Sequence, residues 1–286
     1  MTNRLLPYAL VSPYLLYLGV FVAFPVGFSA WLTFHEWNII GTPRGVGFDN
    51  YVRLVQDRLF WRSILNTLKF LLLHIPLQIV VALGLAILLD RPLRGRAFFR
   101  GAYFLPVIVS GVVVTILWQQ LLATDGGLLN QLLQGVGLAR VGWLSDPDVA
   151  MYAIAVMATW KNVGLYVILF LAGLQSVPEH YYEAARLEGA TAWQQFRFVT
   201  VPAINPTLFA VIVLSTIGGF SLFIEPYVLT GGGPLNSTLS AVLYIYRQAF
   251  QYYHMGYAAT LGLAFSALIL GVVALQQRFI ERPDDA

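Results

Sequence analysis

Six long apolar runs, roughly 8–34, 64–89, 101–123, 150–174, 202–224 and 257–277, contain only two charged residues between them, Lys69 and Lys161. The loops between the runs and the two ends of the chain carry all the others. Each run approaches or exceeds the ~20 apolar residues that a helix needs to cross a bilayer. The pattern predicts six transmembrane helices and an all-α membrane protein. Arg4 precedes the first run as it would in a secretion signal. Its apolar core nevertheless exceeds the about 7–15 residues of such a signal and no small-residue cleavage site follows, so it is expected to stay as an anchor.

Arginine placement sets the expected orientation, because cytoplasmic loops hold an excess of Lys and Arg. With the N-terminus inside, segments 1–7, 91–100, 176–199 and 278–286 hold nine: Arg4, Arg91, Arg94, Arg96, Arg100, Arg186, Arg197, Arg278 and Arg282. The longer outer segments 35–63, 124–149 and 225–256 hold six: Arg44, Arg53, Arg58, Arg62, Arg140 and Arg247. The stretch RPLRGRAFFR at 91–100 alone contributes four of the nine. Both termini are expected in the cytoplasm.

Composition agrees: 58% hydrophobic and 11% charged residues stand against about 45–50% and 25% in soluble domains. The absence of cysteine removes disulfides, thiol chemistry and Cys-based metal sites. A formal charge of +3, spread over many loops, gives no footing for nucleic acid. No internal repeat of 20–50 residues is apparent, which excludes a solenoid.

The loop between the fourth and fifth runs, 176–202, is unusual. SVPE places Ser176 at a helix N-cap with Glu179 three residues on, a capping box, and Gly189 is suited to end that helix. TAWQ, Thr191 to Gln194, offers a second box for a short helix near 192–198. An ordinary solvated connector has no need of Tyr181, Tyr182, Leu187, Trp193, Phe196 and Phe198 in so small a space, and apolar groups outside the membrane usually cover something. The adjacent alanines leave a low surface that another backbone can approach. The loop reads as a docking element for a cytoplasmic partner.

Its spacing, Glu183-Ala184-Ala185, three residues, Gly189, nine residues, then Val199-Thr200-Val201-Pro202, resembles the signature loop of the membrane subunits of binding-protein-dependent ABC importers. Valine stands where that family has isoleucine and leucine. GFDNY (47–51), NTLKF (66–70), LAGLQSVP (171–178), LTGGGPLNST (229–238), YIYRQAF and MGYAAT resemble the sugar-type group related to the maltose and glycerol-phosphate systems, and in particular the first of two paired permeases. The resemblance covers nearly the whole chain. It implies a single permease domain over 1–286 with the type I importer fold of six transmembrane helices. It also implies a coupling helix that seats Glu183, Ala184, Ala185 and Gly189, with Pro202 at the membrane entry, in an ATPase subunit. The implied partners are a homologous second permease, two ATPase subunits and an extracytoplasmic solute-binding protein. The implied solute is a sugar, oligosaccharide or sugar-like polyol. The short first outer loop leaves no room for a large inserted extracytoplasmic domain.

The chain has no phosphate loop, since neither Lys69 nor Lys161 follows glycine, so ATP and Mg are expected on the partner ATPase and no cofactor on this chain. His35, His74, His180 and His254 are scattered, with no metal-ligand spacing, and no HExxH pair or GxSxG elbow points to an enzyme. An ATP-independent secondary transporter or channel is the alternative, but it leaves the Glu183–Pro202 spacing unexplained.

Polar groups within the spans mark the candidate solute path. Lys161, about 11 residues into its span and so ~17 Å deep, either lines that path with Trp160 and Asn162 or is paired with a carboxylate or with carbonyls freed at Gly164. Lys69 is close enough to the span's end to snorkel. Asn66, Gln78, Thr115, Gln119 and Gln120 are either path or interhelical glue. Glu225 and Tyr227, before the flexible Gly231–Pro234 turn, are expected at the outer end of the fifth span as a gate or receptor contact. Phe48–Arg62 reads as an interfacial helix.

Overall fold

The computed structural model describes residues 6–90 and 95–280; Arg4, Arg91, Arg94 and Arg282 of the orientation count lie outside them. The elements in chain order are α1 (Leu6–Leu18), a π-helical turn (Gly19–Ala23), α2 (Phe24–Leu32), β1 (His35–Glu36), β2 (Arg44–Gly45), α3 (Asp49–Gln56), α4 (Arg58–Asp90), α5 (Arg96–Ile108), α6 (Gly111–Leu121) and α7 (Leu128–Gly135). They continue with α8 (Ala150–Gln175), α9 (Glu179–Leu187), α10 (Ala192–Gln195), a π turn (Phe196–Thr200), α11 (Val201–Ala203), α12 (Asn205–Phe220), α13 (Ile224–Leu229), α14 (Ala241–Tyr246), a π turn (Arg247–Gln251) and α15 (Met255–Ile280). Among the described residues five helical stretches are long and apolar enough to cross a membrane: Leu10–Leu32, Arg58–Asp90, Ala150–Gln175, Asn205–Leu229 and Met255–Arg278.

The third run is helical but not one continuous helix. It is a bent pair, Gly101–Ile108 and Gly111–Leu121, meeting at 108°. Val109 and Ser110 are extended, with ψ 145 and ψ 127, so the helical hydrogen-bond ladder is interrupted there and restarts at Gly111. Apolarity alone carries no signal for such a break.

Two compact units form, 1–61 with 244–268, and 62–243 with 269–286. In the first, β1 and β2 pair antiparallel, His35 opposite Gly45. The Asn50 amide nitrogen ties the hairpin down by donating to the Thr33 and His35 carbonyls at 2.8 and 3.1 Å. The expected helix over Phe48–Arg62 is broken at Asp57, whose Oδ1 accepts from the Leu59 and Phe60 N–H groups at 3.0 Å each and so caps α4. Asp57 Oδ2 accepts from the hydroxyls of Tyr244 and Tyr257, both at 2.6 Å. Burial alone would raise the Asp57 carboxyl, but these hydroxyls and the two N–H groups hold it below its usual value.

The second unit is built around α8. Its buried residues, among them Val163, Tyr166, Val167 and Phe170, pack with Ala82, Ala86 and Leu89 of α4 and with Ile204 and Val211. Nearer its start, Met151, Ile154, Ala155 and Ala158 pack with Phe70, Leu222 and Leu229. α8 runs unbroken through Gly164, so no carbonyls are freed there. Instead the missing side chain lets α5 press close, since a Cβ would overlap the Tyr103 carbonyl oxygen.

Candidate functional site

The loop after α8 contains the two expected helices with one changed boundary. Ser176 does not cap α9. It is still helical, at φ -82 and ψ -12, as the C-cap of α8, and its hydroxyl donates back to the Gly173 carbonyl at 2.7 Å. That use of the hydroxyl leaves α9 to begin at Glu179 after an extended Pro178. At the other end Gly189 sits at φ 79, a conformation that side-chain-bearing residues resist. Ala190 N–H donates to the Ala185 carbonyl at 2.9 Å and Gly189 N–H to the Arg186 carbonyl at 3.1 Å, the paired bonds of a Schellman turn. Thr191 then caps α10: its Oγ1 accepts from Gln194 N–H at 3.3 Å, and Gln194 Oε1 accepts from Thr191 N–H at 2.7 Å. Past Gln195 the chain continues through the π turn and α11, with Pro202 inside α11, and reaches α12.

Glu183, Ala184, Leu187 and Gly189 are exposed, Ala185 half-buried. Around them Tyr181 is 51%, Leu187 90%, Trp193 68% and Phe198 70% exposed. Arg186 is held along the helix by Glu179, at 2.8 Å. The result is a two-helix surface presenting apolar side chains beside the exposed carboxylates of Glu183 and Glu188.

Within the second unit α8 meets α13 at an ion pair. Lys161 Nζ donates to Glu225 Oε1 at 3.0 Å, with side-chain exposures of 15% and 10%. Glu225, near the end of the apolar stretch Asn205–Leu229, is thus buried and paired. α12 stops at Phe220, and α13 then packs against both α6 and α8. A cavity of about 230 Å³ opens beside the pair, lined also by His74, Asn162, Tyr166 and Ser221. Asn162 donates to the Ala158 carbonyl of its own helix at 2.9 Å, and His74 Nδ1 lies 2.9 Å from Thr159 Oγ1 while its ring stacks on Phe70.

The other path candidates do not join this wall. Trp160 is turned away and packs at a tilt against Trp118, with ring centroids 5.5 Å apart. Gln119 acts as glue, donating to the Val228 carbonyl at 3.1 Å. Tyr227 is half-exposed and stacks on Phe223. Asn66 holds the glycine loop through the carbonyls of Asn236 and Leu239, at 2.8 and 3.0 Å, and Thr230 and Thr238 bond across that loop at 2.7 Å. The turn is therefore pinned where its glycines suggested flexibility. Thr115 donates within its own helix to Gly111. Gln78 is fully buried with neither amide atom hydrogen-bonded, and Gln120 is exposed. Lys69 sits over the Tyr152 ring at 5.0 Å. His74 and Tyr166 were missed by sequence reasoning; the available signal was a polar His74 inside a span, one helical turn from Phe70.

A family model described as the binding-protein-dependent transport system inner membrane component matches residues 58–284. The chain belongs to this family. It is similar to a probable ABC transporter permease protein of Bacillus subtilis, 34% identical over 284 residues that cover 98% of this chain and 97% of the relative. It is also similar to the lactose transport system permease protein of Rhizobium radiobacter, 36% identical over 282 residues, covering 95% and 92%. Among solved structures it matches a chain of a bacterial alginate ABC transporter, crystallised with an alginate pentasaccharide-bound periplasmic protein. That match has a TM-score of 0.82 at 26% identity and covers 98% of this chain and 96% of that one.

The protein is thus a multi-pass permease subunit of an ABC importer and not an enzyme; ATP hydrolysis belongs to a separate subunit. Family membership sets aside a transporter or channel that works without ATP.

Proposed function

We propose that this permease carries a sugar, oligosaccharide or sugar-like polyol, delivered by an extracytoplasmic binding protein. In this reading it pairs with a homologous permease and is driven by two ATPase subunits that hold ATP and Mg. Both termini and the loop 176–202 face the cytoplasm, and the loop is the ATPase dock. The observation that carries the dock is the surface of Glu179–Phe198: a capped, Schellman-ended pair of helices with Leu187, Trp193 and Phe198 exposed, outside any apolar run. A groove on a soluble partner is the natural cover for such a surface. The carbohydrate class is supported by the lactose permease and the alginate importer to which the chain is similar. The cavity beside Lys161 and Glu225, with hydroxyl, imidazole and amide groups in its wall, suits a polyhydroxylated solute.

Gly189→Val tests the dock, because valine is strained at positive φ and projects from the turn. The expected result is loss of the co-expressed ATPase during purification at normal membrane levels of the permease. Glu183→Gln is expected to act more mildly, removing a charge-assisted bond to the partner. Retention of the ATPase at the parent level by Gly189→Val would sink the docking assignment.

A further inference from the structure

On α9 the half-buried positions are Tyr182 and Ala185, three residues apart and so on one helix face. From that face the Tyr182 hydroxyl meets the Thr200 hydroxyl at 3.1 Å. Thr200 is buried and closes the π turn Phe196–Thr200. Its proton goes to the Gln195 carbonyl at 3.4 Å, which leaves its oxygen to accept from Tyr182. The next residues, Val201–Ala203, lead directly into α12, the fifth span.

Backbone continuity between α9 and α12 passes through the Gly189 turn, α10 and the π turn, a path of several joints. Tyr182 to Thr200 bypasses those joints with one hydrogen bond from the helix to the foot of the span. We propose that this bond is the strut through which displacement of α9 reaches the fifth span, which makes Tyr182 and Thr200 positioning residues for ATP-driven transport. The assignment rests on the reading of α9 as the ATPase dock. Tyr182 faces inward, so its hydroxyl is not part of the surface presented to the ATPase, and dock and strut are separable by substitution.

The chain lacks cysteine, so a single Ser221→Cys in the cavity wall serves as a reporter in the purified complex with its ATPase. Its labelling rate by a water-soluble maleimide is read with and without ATP plus vanadate. Tyr182→Phe and Thr200→Val keep shape and remove one hydroxyl each. Both are expected to cut the nucleotide-dependent change in labelling at least fivefold, with no further loss when combined. Thr200→Ser, which keeps the hydroxyl, is expected to respond as the parent does, and ATPase retention should be unchanged in all. A full labelling response in Tyr182→Phe overturns the strut. So does loss of ATPase retention in Tyr182→Phe, since that would make Tyr182 part of the docking surface. Failure of the dock itself would show separately, as a Gly189→Val complex that keeps its ATPase.

Discussion

Lys161→Met removes the cation from the cavity wall and leaves the Glu225 carboxylate, with only 10% side-chain exposure, without its counter-charge. At a charge separation of ~4 Å the lost attraction is about 4 kcal/mol for an effective dielectric near 20. Breaking one side of a buried pair costs about 3–5 kcal/mol by the same reasoning. Glu225→Gln strands the ammonium instead, at 15% exposure. The ammonium packs against the hinge of the bent span, where a Cβ added at Gly111 would stand 2.9 Å from Lys161 Nζ. Each single variant is therefore expected to lose ~3 kcal/mol, while Lys161→Met combined with Glu225→Leu, which leaves no charge, regains most of it. Thermal unfolding of the detergent-purified protein is a suitable assay, with Trp118 and Trp160 in ring contact nearby as fluorescent reporters. A loss of ~3 kcal/mol corresponds to a midpoint shift on the order of 10 °C in a chain of this size. Additive losses in the double variant, in place of recovery, would refute the pairing. Transport by a stable double variant then separates the roles: activity makes the pair a staple between α8 and α13, and inactivity makes it part of the solute path.

Single cysteines at Arg96 and Gln194 are expected to label only from the cytoplasmic side and one at Ser237 only from outside; labelling of position 194 from outside in intact cells would overturn both orientation and dock. Asp57, held low by the Tyr244 and Tyr257 hydroxyls against the opposing effect of burial, contributes stability that is fully present above its unfolded value near 3.8 and is lost as pH falls through the lower folded value. The melting difference between the parent and Asp57→Asn should accordingly be constant from pH 7 to 5 and shrink only below about pH 4, and shrinkage between 7 and 5 would contradict the assignment.

What the sequence made legible was whatever local chemistry decides. Apolar run length located the spanning helices, and the Thr191 capping box and the Gly189 turn appear where their short-range preferences placed them. Ser176 shows the limit of the same logic: two adjacent helices competed for one hydroxyl, and the longer, buried α8 took it. The ion pair joins residues 64 apart in sequence, and the Asp57 cluster joins residues 187 and 200 apart. Such meetings depend on how α12 ends and α13 turns back, and no window of sequence contains that information. Lys161 announced its need for a partner or a use by being charged and deep; it could not announce Glu225.

α4 runs 33 residues, about 50 Å at 1.5 Å per residue, against a hydrocarbon core of ~30 Å. Its first turn is clamped by Asp57, and its last residue, Asp90, accepts from Gln175 at 3.5 Å at the end of α8. Any tilt of a rod so much longer than the membrane is thick moves its two ends in opposite senses. A tilt of about 10° around its middle sweeps the two tips ~4 Å each in opposite senses for a helix of this rise. Opening at one face of the bilayer and closing at the other would then be a single rotation, with no signal relayed between them.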